Sequence, residues 1–373
     1  MRGLRTWDPV AGNLKEKANT GKSMRPCIVG GGPLVVQEDY DERIASDAMP
    51  RIDYVELVRA LDAEIGVHPL AQSKAFGPVR RVERKLSLDL TMAASVAHRA
   101  QNYSVIVSLA ETVGIPLAGA MRLLGKHTPQ VLIGHKLSWR VQKTAWRAAP
   151  PGTKIGAIAC VSQAQTDYAK SRRGLGVEKS YFIADKVDER FYRPISTQDE
   201  GYVIAVGQEQ RDYVTLVRAL QDTDIRIVII ASSPWATRKV VPEGGDKTTV
   251  LSNVTFTRLR DLYAAARLVV VPVNDVDYAA GVNALLEGMA MARPIVCSDT
   301  LGLRGYAENG VTADLVRPGD AGAMRDAVMR LWNDPSRRSS LACAGRAAVE
   351  ATMTFDHYVD NLARIAREVE VAR

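Results

Sequence analysis

Residues 267–299, RLVVVPVNDVDYAAGVNALLEGMAMARPIVCSD, show how this chain is built. An apolar run at 267–273 is followed by a loop of small residues, a helix-like segment and a second apolar run, PIVCS, at 294–298. Continuous apolar runs that alternate with helical segments are typical of a parallel sheet covered by helices. The stretch therefore predicts a strand–loop–helix–strand unit, and its otherwise apolar helix contains one acid, Glu287.

The same alternation occurs along most of the chain. Strands are predicted at 27–31, 104–110, 130–135, 155–162, 202–207, 225–233 and 254–257. Helices are predicted at 52–66, 82–101, 212–221, 320–334 and 355–373. This order favours an α/β protein made of doubly wound sheets, which bind ligands at the carboxyl ends of their strands.

A chain of 373 residues is too long for one ordinary core, so two domains are expected. The polar, proline-containing segment 191–201 reads as the linker between them. We predict a first Rossmann-like domain over residues 1–195 and a second over 196–354, followed by a helix at 355–373. The first 24 residues, which are basic and lack an apolar segment, are expected to be poorly ordered.

Charge and cysteine content narrow the classes of function. The chain has a net charge of +7, and the basic excess lies in residues 1–195. Such a surface suits an anionic ligand, nucleic acid or lipid, or it is simply solvated. Nucleic acid is not predicted, because no basic strand carries interleaved aromatic residues. Contact of the basic segment 73–86 with an anionic membrane is an alternative to a solvated helix, which is favoured.

The four cysteines are scattered and form no C-x-x-C pair, which fits a reducing cytoplasm and argues against a zinc site. No apolar run reaches membrane-spanning length, and the amino-terminal residues do not form a secretory signal. A cytoplasmic protein without a bound metal is therefore expected.

The loop and helix after Val273 form a candidate anion site. Gly281 lets an anion approach the backbone, and the free N–H groups of the following helix point toward it. Glu287 lies about one and a half turns into this helix. Its carboxylate would accept hydrogen bonds from two vicinal hydroxyls, as on a ribose. The alternative is a salt-bridged glutamate on a half-exposed helix.

Several motifs in this region resemble the signature of family 4 glycosyltransferases, which are retaining enzymes of the GT-B fold. The similarity lies in LLEGMA, RPIV, NGVTA, LVRPGD and LWNDP, and weaker similarity extends it to roughly residues 104–373. The resemblance implies two Rossmann-like domains facing a central cleft, with the helix at 355–373 returning to the first domain. It also implies transfer of a sugar from a nucleotide-diphosphate sugar to an acceptor hydroxyl, by a front-face mechanism that needs no metal.

The resemblance implies roles for individual residues. Glu287 falls on the acid that binds the donor ribose. Arg211 falls near the basic residue that neutralises the departing diphosphate, and His135 matches the cleft histidine that contacts the donor sugar. Other donor-binding positions are implied in the turn after a strand, in the base-binding segment and at the start of the helix: Gly207, Gln208, Leu259, Ala280, Gly281, Val282 and Asn283.

This chain departs from the family pattern at two positions that bear on the donor. Ala279 stands where the family has its first acid, and Asp275 and Asp277 are candidates to replace it. The alternative is that backbone groups around 280–283 hold the sugar, with help from Asn283. Gln208 stands where the family often has an arginine, so one cation is missing; a basic residue of the 258–260 loop is a candidate to compensate.

The first domain is expected to bind the acceptor. Gly31 and Gly32 follow the first predicted strand, and Glu111 and Thr112 follow another, so all four are acceptor-side candidates. For Thr112 the alternative is an N-cap at the start of a helix.

The donor is expected to carry UDP or, as a second choice, GDP, with no resident cofactor; acceptor and oligomeric state stay open. Two alternatives remain: a non-catalytic protein that binds a nucleotide sugar, and another GT-B enzyme such as a nucleotide-sugar epimerase.

Overall fold

Two parallel six-stranded sheets form the framework of the protein. The computed structural model describes residues 24–68, 70, 73–74, 76–149, 153–171, 177–231 and 245–372. The first sheet has the order β2-β1-β3-β4-β5-β6. Its strands are β1 (Arg25–Val29), β2 (Glu64–Ile65), β3 (Tyr103–Ser108), β4 (Gln130–Gly134), β5 (Ile155–Cys160) and β6 (Val177–Phe182).

The second sheet has the order β12-β11-β10-β7-β8-β9. Its strands are β7 (Tyr202–Val206), β8 (Arg226–Ile230), β9 (Thr248–Leu251), β10 (Leu268–Val271), β11 (Ile295–Ser298) and β12 (Asp314–Val316). The first strand of this sheet, β7, pairs with β8 on one side and with β10 on the other, so the winding direction reverses between β7 and β10. Ligands of doubly wound folds bind in the crevice at such a reversal point.

Thirteen helices occur among the described residues. Those that accompany the first sheet are α1 (Tyr40–Ala45), α2 (Asp53–Leu61), α3 (Phe76–Leu86), α4 (Leu90–His98), α5 (Glu111–Leu123), α6 (Arg140–Arg147) and α7 (Gln163–Ser171). Those that follow are α8 (Tyr213–Leu220), α9 (Phe256–Ala265), α10 (Val282–Ala290), α11 (Ala321–Asn333), α12 (Pro335–Thr352) and α13 (Phe355–Val371). We call the first sheet with α1–α7 the first domain, and the second sheet with α8–α12 the second domain.

Each sheet is buried on both faces, as its apolar strands require. In the second domain, one face packs against α8 and α11, and the other packs against α9 and α10. In the first domain, one face packs against α4 and α5. The other face is covered by α2 together with α13, whose buried side chains include Phe355, Leu362 and Ile365.

The carboxy-terminal helix α13 thus packs on the first sheet although it follows the second domain in sequence. A buried ion network fixes its start: Arg51 pairs with Asp188 at 2.9 Å and also with Asp356 on α13. The guanidinium of Arg51 stacks over the ring of Phe355 at 4.5 Å. Since Arg51 and Asp188 are nearly buried, this network joins the amino-terminal part of the chain to α13.

Four sequence predictions of secondary structure were wrong or incomplete. The helix predicted at 52–66 ends at Leu61, where Asp62 adopts a left-handed φ of 48°, and strand β2 follows within the predicted range. The single helix predicted at 82–101 is two helices, α3 and α4, because Ser87 adopts a left-handed φ of 53° that ends the first. The strand predicted at 254–257 is the entry to α9, where the Thr255 hydroxyl accepts a hydrogen bond from the Arg258 N–H. The strands β2, β6, β9 and β12 were not predicted.

Some predictions fall outside the described residues. This applies to residues 1–23 of the amino-terminal segment and to the last two residues of the strand predicted at 225–233. Among the helices that are described, none combines the length and the apolar character needed to cross a bilayer.

Candidate functional site

Arg211 lies at the reversal point of the second sheet. Its Nε donates to the carbonyl of Val206, the last residue of β7, at 2.8 Å, and its Nη1 donates to the carbonyl of Glu209 at 2.9 Å. Gly207 follows β7 with a φ of +104°, and a Cβ there would lie 2.5 Å from Arg211 Nη2. Glycine at 207 therefore lets the guanidinium lie flat against the end of the strand.

Gly281 brings the start of α10 to the same place. It is the N-cap residue of α10 with a φ of +94°, a conformation that costs glycine little. A Cβ at this position would come within 2.8 Å of Val273 Cγ2 and 3.5 Å of Arg211 Nη1. The free N–H groups of the helix and a fixed guanidinium thus face one crevice, an arrangement that suits a phosphate.

The neighbours of Gly281 have different environments. Ala280 and Val282 are buried in the core of the second domain, and their backbone N–H groups donate to the carbonyls of Tyr278 and Ala279 at 2.6 Å and 3.3 Å. Asn283 is exposed on the first turn of α10. Glu287, one turn further along, keeps partial access to solvent.

The carboxylate of Glu287 is held by tyrosines. Its Oε2 accepts a hydrogen bond from the Tyr263 hydroxyl at 2.8 Å, and the Tyr192 ring lies edge-on to Tyr263. The Tyr192 hydroxyl is buried near the same carboxylate, but it forms no hydrogen bond of ordinary geometry within the described part of the chain. Burial raises the pKa of Glu287 to about 7, against the opposing effects of the Tyr263 and Tyr192 hydroxyls and the Arg211 charge.

This environment bears on the alternative of a surface salt bridge. Within the described ranges, Glu287 pairs with no cation, and the contact of its carboxylate is a tyrosine hydroxyl on α9. Burial disfavours the ionised form of this acid, and the acid lies in a crevice beside an arginine. Such an environment is more typical of a ligand-binding site than of a solvated helix. Its role toward a ribose stays a prediction.

Of the basic residues at 258–260 that were candidates to compensate for Gln208, Arg260 is already engaged elsewhere. Gln208 donates its side-chain amide to the carbonyl of Ala231 at 2.7 Å. Residues 258–260 form part of α9 and no loop. Within them, Arg260 pairs with Asp47 at 2.6 Å and stacks over Phe191, which holds its charge between the domains. The nearby Leu259 packs partly buried against the core of the second domain.

His135 lies at the end of β4, half-buried at the cleft. Its backbone N–H and that of Lys136 both donate to one oxygen of Glu111. Glu111 is only 4% exposed, so its carboxylate orders the histidine loop instead of facing an acceptor. This places Glu111 behind the candidate site, whereas the sequence interpretation put it within the site.

Thr112, Gly31 and Gly32 lie together at the carboxyl end of β1. Helix α5 begins at Glu111 with Ala110 as its N-cap, so Thr112 is not the cap. A Cβ on Gly31 would come within 3.0 Å of the Thr112 hydroxyl, and Gly32 has a φ of +106°. Arg80 of the basic helix α3 donates to the Gly31 carbonyl at 3.1 Å, so one positive charge of that helix lies against this turn.

Ala279, which stands in place of the family's first acid, packs partly buried against the cores of both domains. The acid Asp275 is exposed, and the backbone carbonyl of Asp277 accepts a hydrogen bond from Gln165 of the first domain at 2.8 Å. The loop is therefore tied across the cleft through its backbone.

Sequence reasoning missed a contact across the cleft. Lys136 of the first domain pairs with Glu209 of the second, and its ammonium lies 4.8 Å from the centre of the Tyr278 ring. The Tyr278 hydroxyl donates to the same carboxylate at 3.4 Å. No pattern in the sequence pointed to this pairing of Lys136 with Glu209, or to Tyr263 and Tyr192 beside Glu287.

Within the described residues, no group of three or more histidine, cysteine or acidic side chains is placed to hold a metal ion. The cysteines Cys27, Cys160 and Cys297 are buried in the sheets, and Cys343 is exposed.

Comparison with known proteins supports the sequence resemblance. Residues 209–334 match the family model described as "Glycosyl transferases group 1". D-inositol 3-phosphate glycosyltransferase of Mycobacterium avium is 30% identical over 177 residues, which is 44% of this chain and 41% of that protein. Alpha-D-kanosaminyltransferase of Streptomyces kanamyceticus is 30% identical over 33% of this chain and 31% of its own length. The chain thus matches well under half the length of these relatives.

Known structures match over a larger part of the chain. Sucrose-phosphate synthase of Thermosynechococcus elongatus superposes with a TM-score of 0.65 at 16% identity, over 94% of this chain and all of that one. Anabaena HepE in complex with UDP-glucose has a TM-score of 0.65 at 15% identity, over 92% of this chain and all of that one. The protein therefore has the two-domain α/β GT-B fold, and its residues 209–334 resemble the group 1 glycosyl transferases.

Proposed function

We propose that this protein is a retaining glycosyltransferase that moves a sugar from a nucleotide-diphosphate sugar to an acceptor hydroxyl. The observation that carries the proposal is the convergence of the Arg211 guanidinium, the glycine-capped start of α10 and Glu287 on one crevice of the second sheet. These three features suit a diphosphate and a ribose that are joined to each other.

Each part of the crevice has a task in this proposal. The α10 N–H groups and the Arg211 fork hold the diphosphate and stabilise the charge that develops as it departs. The Glu287 carboxylate accepts hydrogen bonds from the two ribose hydroxyls. His135, held in place through the Glu111 carboxylate, contacts the donor sugar from the first domain.

The proposed chemistry involves the chain's side chains only as binding and stabilising groups. The bond from the anomeric carbon to the diphosphate oxygen breaks, and a bond from the acceptor oxygen to the same face of that carbon forms. The acceptor proton passes to the departing diphosphate oxygen. No bound metal is needed if Arg211 and the helix start supply the neutralising charge, which is the expectation drawn from the family.

The named relatives agree with this proposal in chemical class. The curated proteins that match are glycosyltransferases, and HepE was crystallised with UDP-glucose. We therefore propose UDP as the first donor nucleotide to test and GDP as the second, in a cytoplasmic protein. The acceptor would bind on the first domain, near His135 and the turn at Gly31 and Gly32.

The proposal is tested by binding and by product analysis. Thermal unfolding is followed with UDP, GDP, ADP, CDP and dTDP and their common sugars, for wild type and Glu287→Ala. Stabilisation by one nucleotide that the substitution weakens is the expected result. Absence of any shift would refute the donor site. The anomeric configuration of a transferred sugar, read by NMR, then decides whether transfer proceeds with retention.

One observation favours a second candidate, a protein that binds a nucleotide sugar without transferring it. Ala279 replaces the acid that the family uses around the donor sugar. Binding of a donor sugar with no transfer to any of a panel of acceptors, and no slow hydrolysis, would favour this candidate. Release of free sugar from the bound donor would favour the enzyme.

A further inference from the structure

The Glu209 carboxylate, which pairs with Lys136, puts a negative charge beside the candidate anion site. Glu209 places a carboxylate beside a crevice that is otherwise built for an anion. Its own backbone carbonyl binds Arg211 Nη1 at 2.9 Å, and its carboxylate accepts from Tyr278, three residues before the α10 N-cap. An acid at this position would repel a diphosphate, unless a cation compensates for it.

The compensating cation comes from the opposite domain. Lys136 follows His135 directly, and its ammonium pairs with Glu209 across the cleft. Both side chains are about one third exposed, at 33% and 34%, so the pair lies open to the cleft. The Tyr278 ring beneath the ammonium, at 4.8 Å, gives it a second favourable contact.

Apart from Lys136, the crevice lacks one of the cations that a diphosphate site of this family would have. Gln208 is neutral and its amide is used by the Ala231 carbonyl. Arg260 is engaged by Asp47 at 2.6 Å. Arg211 uses Nε and Nη1 for backbone carbonyls, which leaves Nη2 for a ligand. The charge of the departing diphosphate would then be stabilised by this one side chain and by helix N–H groups. A second cation would stabilise it further.

We propose that Lys136 is a diphosphate-binding residue supplied by the first domain, and that Glu209 holds its ammonium in place until the donor arrives. A lysine carries a point charge on a flexible stem, so its ammonium can move from carboxylate to phosphate without a change of backbone. Donor binding then replaces the ion pair between Lys136 and Glu209 with one between Lys136 and the diphosphate. The inference rests on the proposed function, because it needs a nucleoside diphosphate in the cleft.

The test compares binding of UDP with binding of uridine by calorimetry, or GDP with guanosine if the wild type prefers guanine. We expect Lys136→Met to lower the affinity for the nucleoside diphosphate about tenfold and to leave the affinity for the nucleoside unchanged. Glu209→Gln should raise the affinity for the nucleoside diphosphate, since it releases the Lys136 ammonium. The double variant should bind the nucleoside diphosphate more tightly than Lys136→Met, because the unpaired carboxylate is gone, but clearly more weakly than the wild type.

The matched control is Lys143→Met. Lys143 also lies over a tyrosine ring, Tyr168, at 5.5 Å, but within the first domain, and its loss should not alter nucleotide binding. Unfolding temperatures confirm that each variant is folded, and Lys136→Arg, which keeps the charge, should retain most of the affinity if Lys136→Met is unstable.

Three results separate the possible failures. Wild-type affinity in the double variant would mean that Lys136 only neutralises Glu209, and it would overturn the inference while the proposed function stands. Unchanged affinity in Lys136→Met would overturn it as well. No binding of any nucleotide by the wild type would refute the proposed function and the inference together.

Discussion

Replacement of Glu287 by glutamine should stabilise the ligand-free protein, and the gain should grow with pH. Burial raises the pKa of Glu287 from 4.5 to about 7, so the folded protein holds the proton more tightly than the unfolded chain does. Between these two values the unfolded chain releases the proton first. The free energy of unfolding therefore falls as the pH rises from 4.5 to about 7, and the full cost of the buried charge is present above 7.

The magnitude follows from the pKa difference. Each pKa unit corresponds to about 1.4 kcal/mol, so the buried charge costs the wild type about 3 kcal/mol at pH 8.5. At pH 5.5, one unit above the unfolded value, the cost is about 1 kcal/mol. Glutamine is neutral at both pH values, and its side-chain oxygen can still accept from the Tyr263 hydroxyl. Its advantage over the wild type should thus be about 2 kcal/mol larger at pH 8.5 than at pH 5.5.

Urea unfolding of wild type and Glu287→Gln at the two pH values measures this difference directly. Comparison between pH values removes any constant effect of the new amide group. The control is Glu350→Gln, which replaces an exposed glutamate that pairs with Arg346 on α12; its effect should be the same at both pH values. An equal stability difference at pH 5.5 and pH 8.5 for Glu287→Gln would refute the assignment of a buried, costly charge to this residue.

Four further changes test the site and the fold. Affinity for UDP-glucose should rise about tenfold from pH 6 to pH 8 as Glu287 ionises, and titration calorimetry of wild type and Glu287→Gln should find the rise only in the wild type. Arg211→Met should weaken the binding of UDP by about 2 kcal/mol and leave the binding of uridine unchanged. An equal loss of binding for both ligands would place the guanidinium away from the diphosphate. Gly281→Val should destabilise the protein by about 3 kcal/mol in urea, because its side chain would meet Val273 at a positive φ; unchanged stability would contradict that geometry. Arg51→Met should cost about 3 kcal/mol and make α13 accessible to protease, and continued protection of α13 would show that the helix packs without this network.

The local sequence pattern determined most of the fold. Apolar runs such as 202–207 and 267–273 are buried on both faces, and only a parallel sheet covered by helices accommodates such runs without alternation. The pattern also located Gly281 and Glu287, because a strand, a glycine turn and a helix start are consecutive in the chain, whereas Arg211 was implied only by the resemblance to the family. The short edge strands β2, β9 and β12 were not predicted, since strands of two to four residues have too few positions to show a period.

What the sequence could not determine depends on contacts between distant residues. Lys136 and Glu209 are 73 positions apart, and Tyr263 and Glu287 are 24 apart on different helices. Whether an acid is solvated, salt-bridged or buried beside tyrosines is decided by the elements that surround it, and so is its pKa. The sequence by itself therefore determined the two Rossmann-like domains and the position of the crevice. Only the tertiary structure decided which charges face that crevice, because they are brought there from both domains by packing.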